Sequence, residues 1–365
     1  MKILHTADWH LGKTLKGQSL IEDQIFILNQ LFDIINDQKP DAILISGDIY
    51  DRAVPPPDAV DLFNDTLNRF AEKDFPTLII AGNHDSATRL NFGSKLFSKQ
   101  KIFIAAKISE TPAQIVLEDD FGEIYFSLIP FFVQSEIHTK FSCEIDANKF
   151  YVDLARENIP KNKRSVALAH FFITGGIESE SERKFVGGSE NIDANIFANY
   201  NYVALGHLHR PQSISNTIRY AGSPLKYSFD EANHKKSVTI ADIDRAGAVK
   251  IDKISLIPRR DVKIVKGTLA ELRKLPRTED YICAQLTEHE INIQDKLANI
   301  FPHLLKVEFL TSKNYDSDEE AREFREGGST LDYFADFFKS QTGEDLKPEY
   351  REAMGEFLSE MGKEE

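Results

Sequence analysis

The sequence predicts an α/β protein: a two-sheet α/β sandwich core, a smaller α/β cap and a C-terminal helical pair. Three observations predict it. The chain opens as strand, helix, strand, the unit of a layered α/β domain. Residues 101–132 alternate apolar and polar side chains around Asp119-Asp120-Phe121-Gly122, as antiparallel strands of a second sheet do. The character then shifts at Pro258-Arg259-Arg260, after which short strands and helices alternate anew. The expected domains are 1–258, 259–316 and 317–365.

The first strand runs into Asp8, and Gly12, Lys13 and Gly17 make a loop. Ser19-Leu20-Ile21-Glu22 has the pattern of a capping box, opening a helix with Ile21, Ile25, Leu28, Phe32 and Ile35 on one face and Lys39-Pro40 at its end. Pro55-Pro56-Pro57-Asp58 starts a second helix, with Val60, Phe63, Leu67 and Phe70 along one side. A short helix over 89–98 carries Leu90, Phe92, Leu96 and Phe97, most simply as core.

A helix over 147–158 precedes the strand ending at His170, and residues 174–189, rich in Gly, Ser and Glu, read as a mobile loop near the site. Strands return over 217–257. The cap is expected to hold strands at 262–265, 281–286 and 305–310 and helices at 268–275 and 294–300, with Thr268 to Glu271 as a second capping box. From Ser317 the chain is charged, and Gly327-Gly328 reads as a hinge. The tail then places Leu331, Phe334, Ala335, Phe337 and Phe338 on one amphipathic helix, and Tyr350, Met354, Phe357 and Leu358 on another. So many aromatic residues need a surface to cover them, either their own domain or a partner protein.

Of 365 residues, 41% are hydrophobic, enough for packed cores, yet no apolar run reaches the roughly 18 residues of a membrane span. Without a signal-peptide pattern, a cytoplasmic location is expected. Cys143 and Cys283 are few and distant, which fits a reducing compartment and argues against disulfides or a thiolate zinc site. The net charge of −14 opposes nonspecific DNA affinity, so a DNA enzyme with this chain needs a local basic patch, metal ions or a partner.

Five apolar runs break into Asp, Asn or His: residues 3–10, 43–52, 78–85, 166–170 and 202–209. One polar residue at a strand end is ordinarily turn chemistry. Five such ends, if their strands share one sheet, gather Asp8, Asp48, Asn83, His10, His170, His207 and His209 on a single rim, enough for two metal ions. A two-ion centre needs a bridging carboxylate, and Asp48 is the candidate. Oxygen and imidazole donors without thiolate suit Mn or Fe, leave Zn open and disfavour an oxygen-only Mg site. His84, next to a ligand yet not needed as one, is placed for general acid chemistry or for stabilising charge at the site. His5 and Trp9 read as packing residues, and His138, His234, His289 and His303 as solvated. Arg52 could touch a phosphate or pair with a surface acid.

Asp8-Trp9-His10, Gly47 to Arg52, Gly82-Asn83-His84-Asp85, His170 and Gly206-His207-Leu208-His209 stand in the order used by calcineurin-like metallophosphoesterases. Within that superfamily the chain most resembles the nuclease subunits of bacterial SbcCD complexes, and residues 220–228 extend the likeness. The resemblance implies one ion on Asp8, His10 and His209, a second on Asn83, His170 and His207, Mn2+ as the metal, and Asp51 orienting His84. It also implies a DNA exonuclease and endonuclease acting on ends and hairpins in repair, recombination and replication. Contacts should be to the DNA backbone, without sequence preference. Two nuclease subunits would pair through the helices near 58–73 and 88–98, and the terminal helices would grip an SbcC-type ATPase. A phosphatase or cyclic-nucleotide phosphodiesterase would reuse the same rim, but has no evident need for the cap and aromatic tail.

Overall fold

The strands nearest the centre are apolar on both faces because both faces are buried. In Ala42–Ser46, Ala42 and Leu44 point into a core between two sheets, while Ile43 and Ile45 point out against helices. Arg164–His170 and Tyr202–Gly206 divide likewise: Val166, Leu168, Tyr202 and Ala204 face the inter-sheet core, and Ala167, Ala169, Val203 and Leu205 face outward. The result is helix, sheet, sheet, helix. The structure, a computed structural model, describes residues 1–143, 146–182, 192–288, 291–310, 329–342 and 345–361.

The first sheet has the order Val249–Ser255, Ser237–Ile243, Lys2–Thr6, Ala42–Ser46, Thr77–Ile80, Ile102–Ala105. Its last four strands are parallel, so their C-terminal ends share one rim. The second sheet runs Gln212–Ser213, Ile218–Tyr220, Tyr202–Gly206, Arg164–His170, Gly122–Ile129, Ala113–Asp119. The strands carrying the expected ligands therefore do not share one sheet. Three lie in the first and two in the second, and hydrophobic periodicity does not say which sheet a buried strand joins.

Other expectations shift in detail. Ile102–Ala105 pairs parallel with Thr77–Ile80 in the first sheet, while only the hairpin from Ala113 to Ile129 joins the second. The helix Ile21–Gln38 begins at Leu20 with no side-chain cap, because Ser19 is held in a short strand pair with Thr14. Its buried face is Ile27, Leu28, Leu31, Phe32 and Ile35, with Ile25 exposed. Lys39 ends it in a left-handed conformation, with its amide donating to Ile35 O. In Pro57–Lys73, Phe63, Leu67 and Phe70 are buried but Val60 is exposed. The expected helix over 89–98 is two single turns, Ala87–Leu90 and Ser94–Phe97, and Phe92 and Leu96 are 84% and 68% exposed rather than core. A helix at Gln134–Phe141 has no sequence forecast, being short and weakly apolar.

The cap is a parallel three-stranded sheet, Val262–Gly267, Tyr281–Leu286 and Leu304–Phe309, with its own small core around Leu272, Ile282 and Leu297. Thr268 and Glu271 form the expected capping box. Met1–Thr311 nevertheless packs as one compact unit and Ser312–Glu365 as another. Asp23, buried in the first helix, explains why the cap is not separate. It accepts from Tyr281 Oη at 2.7 Å and pairs with Arg260 at 3.3 Å.

In the C-terminal unit, Thr330–Thr342 and Pro348–Met361 pair through an Asp332–Arg351 ion pair, and Phe334, Phe338, Leu346, Tyr350 and Met354 line a groove between them. Tyr350 and Phe357 remain exposed. The hinge at Gly327-Gly328, the side chain of Phe337 and His289 lie outside the described residues, as does the part of the 174–189 loop beyond residue 182. His5 and Trp9 are buried as expected, whereas His138, His234 and His303 are half-buried rather than solvated. Cys143 and Cys283 are not joined in a disulfide.

The hairpin end is tied to Arg164, whose guanidinium forks onto Asp119 with Nη1 at 2.9 Å from Oδ2. That bond holds the Asp119 carboxyl well below the usual carboxylate range. A depressed carboxyl stabilises the fold fully above its unfolded pKa of about 3.9 and loses that contribution as pH falls through the folded value. Asp119→Asn should cost about 1–3 kcal/mol at pH 7, with the gap from wild type closing towards pH 2, read by urea melts across pH.

Candidate metal centre

The two sheets close on each other at the rim. Ser46 Oγ, ending a first-sheet strand, donates to Ala204 O of the second sheet at 2.9 Å, and Ser46 O accepts from His170 Nδ1 at 2.8 Å. Gly206 allows this approach, since a β-carbon there would lie 1.8 Å from Ser46 O. Past the strand ends the chain turns sharply, and Asp8, His10, Asp48 and His207 all have positive φ (54°, 44°, 50° and 101°). This left-handed geometry, tolerated best by short polar residues, aims successive side chains at one point.

There the expected ligands meet. Asp48 Oδ2 lies 3.5 Å from His10 Nε2 and 3.4 Å from His170 Nε2, between the two halves of the cluster. On one side His10 Nε2 is 3.0 Å from His209 Nε2. On the other, Asn83 Oδ1 is 3.0 Å from His170 Nε2 and 3.1 Å from His207 Nδ1. Asp8 Oδ1 accepts from the His207 amide at 2.8 Å, and Asp8 belongs with Asp48 and His170 in one set of converging donors, as His10, Asp48 and His84 do in another. Asp48 is common to both. All seven residues are brought together.

The cluster fits divalent cations. Asp8 Oδ2 is buried with no hydrogen-bond partner, a costly state for a carboxylate oxygen unless a cation faces it. Imidazole nitrogens about 3 Å apart have the spacing of adjacent donors on one ion with bonds of about 2.1 Å. Burial lowers the pKa of His10 and His209, and takes His207 down to about 3, so their lone pairs are free for a metal at neutral pH. Burial would also lower His170, but Asp48 and Asp8 outweigh it and lift His170 to about 9. Asp8 is raised by burial, whereas Asp48, despite burial, is held low by His170 and His10.

His84 reaches the cluster with its ring 4.6 Å from that of His10. Its Nδ1 lies 2.7 Å from the main-chain carbonyl of Asp51. The carboxylate of Asp51, expected to orient His84, instead pairs with Lys13 at 2.8 Å and lies 3.7 Å from His10 Nδ1. Arg52 is 60% exposed, 3.9 Å from Asp51.

Three supporting groups escaped sequence reasoning. Asp85 accepts from the amides of Gly82, Ile49 and Tyr50 at 2.9, 3.1 and 3.0 Å, tying the Asp48 turn to the Asn83 turn. Burial, then the charge of Asp48, pushes its pKa to about 7. Gln24 accepts from Gly12 N at 2.9 Å and donates to His10 O at 2.7 Å, and Tyr227 packs its ring edge-on to both His10 and His209. Asp85 closes a strand-end motif and Tyr227 lies in the 220–228 segment, so both could have been found there; Gln24 stands among ordinary helix residues.

Residues 1–211 match the family model for calcineurin-like phosphoesterases, which places the chain in that class of enzymes. Two relatives align almost end to end. The SbcD subunit of nuclease SbcCD from Staphylococcus epidermidis is 32% identical over 373 residues, covering 98% of each chain, and that from Staphylococcus saprophyticus is 34% identical, covering 95% of this chain and 94% of its own. The chain belongs to the SbcD family of calcineurin-like phosphoesterases.

Asp85→Ala strands three main-chain amides and frees the two turns from each other. It should lower Mn2+ affinity along with the melting temperature, at a stability cost of about 1–3 kcal/mol per amide left without a partner, measured by calorimetry with and without metal.

Proposed function

We propose that the chain is the catalytic subunit of a metal-dependent DNA nuclease that works with an SbcC-type ATPase, hydrolysing phosphodiester bonds at DNA ends and hairpins as a double-strand exonuclease and single-strand endonuclease. Its setting would be DNA repair, recombination and replication in the cytoplasm. The observation that carries this reading is the convergence of six oxygen and imidazole donor residues around Asp48. The end-to-end similarity to relatives named as nuclease subunits of SbcCD supplies the substrate and the partner.

In this reading Asp8, His10 and His209 would hold one divalent ion and Asn83, His170 and His207 a second, most simply Mn2+, with Asp48 shared between them. Such a pair supplies Lewis acidity at the phosphoryl oxygens and a water acidified enough to attack near neutral pH. His84 is the proton donor to the leaving oxygen. A carbonyl only accepts, so Nδ1 must donate to Asp51 O, and Nε2 is the atom that carries and releases the proton. The C-terminal helices, with Tyr350 and Phe357 exposed, offer the ATPase an apolar surface. Phe92, Leu96 and Val60, all exposed, offer one to a second nuclease subunit.

End-labelled duplex DNA with Mn2+ tests the chemistry. Asp48→Ala should abolish cutting with or without the ATPase, while His84→Ala should lower kcat by roughly 10²–10⁴ and leave Mn2+ binding intact. Cutting by Asp48→Ala at the wild-type rate would refute the assignment. Light scattering of the isolated chain at micromolar concentration should give twice 41.4 kDa, and Leu96→Glu should return it to the monomer mass.

A further inference from the structure

We propose that Glu231, together with its ion-pair partner Lys236, is the positioning group that sets the tautomer and aim of His209. The inference rests on the reading of His209 as a metal ligand, and it concerns residues outside every motif that led to that reading.

Every polar group of His209 apart from Nε2 is held. Its amide donates to Glu182 Oε1 at 2.6 Å. Its carbonyl accepts from Lys236 Nζ at 2.8 Å and from the Ser223 amide at 3.1 Å. Its Nδ1 lies 2.7 Å from Ser181 Oγ and 3.2 Å from Glu231 Oε1. The last two contacts have one consistent solution. A carboxylate can only accept, and Glu231, ion-paired with Lys236, is charged. Ser181 is also hydrogen-bonded to Glu231 Oε1, so its hydroxyl hydrogen goes there and its oxygen is left to accept. Both contacts then require the hydrogen on Nδ1. The lone pair stands on Nε2, the atom that faces His10 across 3.0 Å.

The arrangement is built for more than packing. Glu231 is fully buried and Lys236 is 5% exposed. A pair so enclosed adds little stability over apolar residues of equal size, because desolvation offsets the attraction. Its geometry is nonetheless locked: Glu231 Oε1 also accepts from the Tyr227 amide at 3.3 Å, and Lys236 donates to Ser223 Oγ at 2.7 Å. The charges converge on one imidazole, whose carbonyl and ring they grip from opposite ends. A carboxylate on the far nitrogen of a ligating histidine fixes the ring and strengthens it as a donor, and losing such a partner lowers metal affinity by roughly 10–100-fold.

Mn2+ binding to the full-length chain, followed by isothermal titration calorimetry and by electron paramagnetic resonance of free Mn2+, tests this. The proteins compared are wild type, His209→Ala, Glu231→Gln and the double variant Glu231→Leu/Lys236→Met. The double variant removes both charges together, so that neither is left buried without its partner, and its melting temperature is measured alongside its affinities. It should lose roughly 10–100-fold in affinity at one Mn2+ site and keep the other, as His209→Ala does. Glu231→Gln keeps an acceptor for Nδ1 and should lose less. A folded double variant with two wild-type Mn2+ affinities, beside an impaired His209→Ala, would overturn the proposal. Unchanged binding in His209→Ala would instead overturn the ligand assignment beneath it. Should the double variant fail to fold, Glu231→Ala, which leaves Nδ1 no carboxylate to donate to, decides: wild-type affinity at both sites rejects the positioning role.

Discussion

The approach of two sheets to hydrogen-bonding distance at Ser46 is the constraint on which the structure depends. Ser46 bonds Ala204 through its hydroxyl and His170 through its carbonyl, and only a glycine at 206 leaves room for it. Elsewhere the sheets are held apart by Leu44, Leu78, Phe126, Leu168 and Tyr202. The space between them therefore narrows towards the rim. Strand ends that belong to different sheets, and to distant parts of the chain, emerge there side by side. Asp48, one turn past Ser46, and His207, one residue past Gly206, are brought together by the same contact that closes the sandwich.

That closure carries an electrostatic cost. Two carboxylates and four imidazoles are taken out of water, where isolated charges are strongly disfavoured and ionisable groups answer by shifting their protons. Burial lowers His10, His207 and His209, even with Asp48 beside His10, while Asp48 and Asp8 raise His170, and Asp8 and Asp48 shift in opposite directions. The backbone adds to the cost, with four residues in the left-handed region at roughly 1–2 kcal/mol each. Neither cost is local. The layers of apolar side chains on both faces of each strand, together with Asp85 and Gln24 clamping the turns, hold the rim in a conformation it would not adopt alone.

The contrast between what was legible and what was not follows from the range of each interaction. Strands buried on both faces leave continuous apolar runs, and the donors that end them repeat five times, so the core strands and the seven candidate ligands could be read directly. Sheet membership could not, since Leu44 and Leu168 look alike in sequence yet meet from opposite sheets. Phe92 and Leu96 misled because an exposed aromatic or aliphatic residue on a short turn has the same letter as a core one. Glu231 and Lys236 were hidden differently. In Asp230-Glu231-Ala232-Asn233-His234-Lys235-Lys236 they look like a solvated charged stretch, and only a fold that buries Glu231 and Lys236 beside His209 separates them from their neighbours.

The cap shows the same lesson at the scale of domains. Composition marks a boundary at Pro258-Arg259-Arg260, but Arg260 is itself a tether, reaching Asp23 of the first helix, and Lys226 pairs with Asp261 at 2.8 Å from the other side. Asp23 and Gln24 are adjacent in one helical turn, one bound to the cap and the other to the main chain of His10. Lys226 in turn lies on the segment that leads to Glu231, behind His209. The cap is thus braced through the supports of two candidate ligands of one ion, His10 and His209. A polar, proline-marked junction in sequence becomes in the fold the place where the cap and the metal centre share their anchors, which is why residues up to 311 pack as one body.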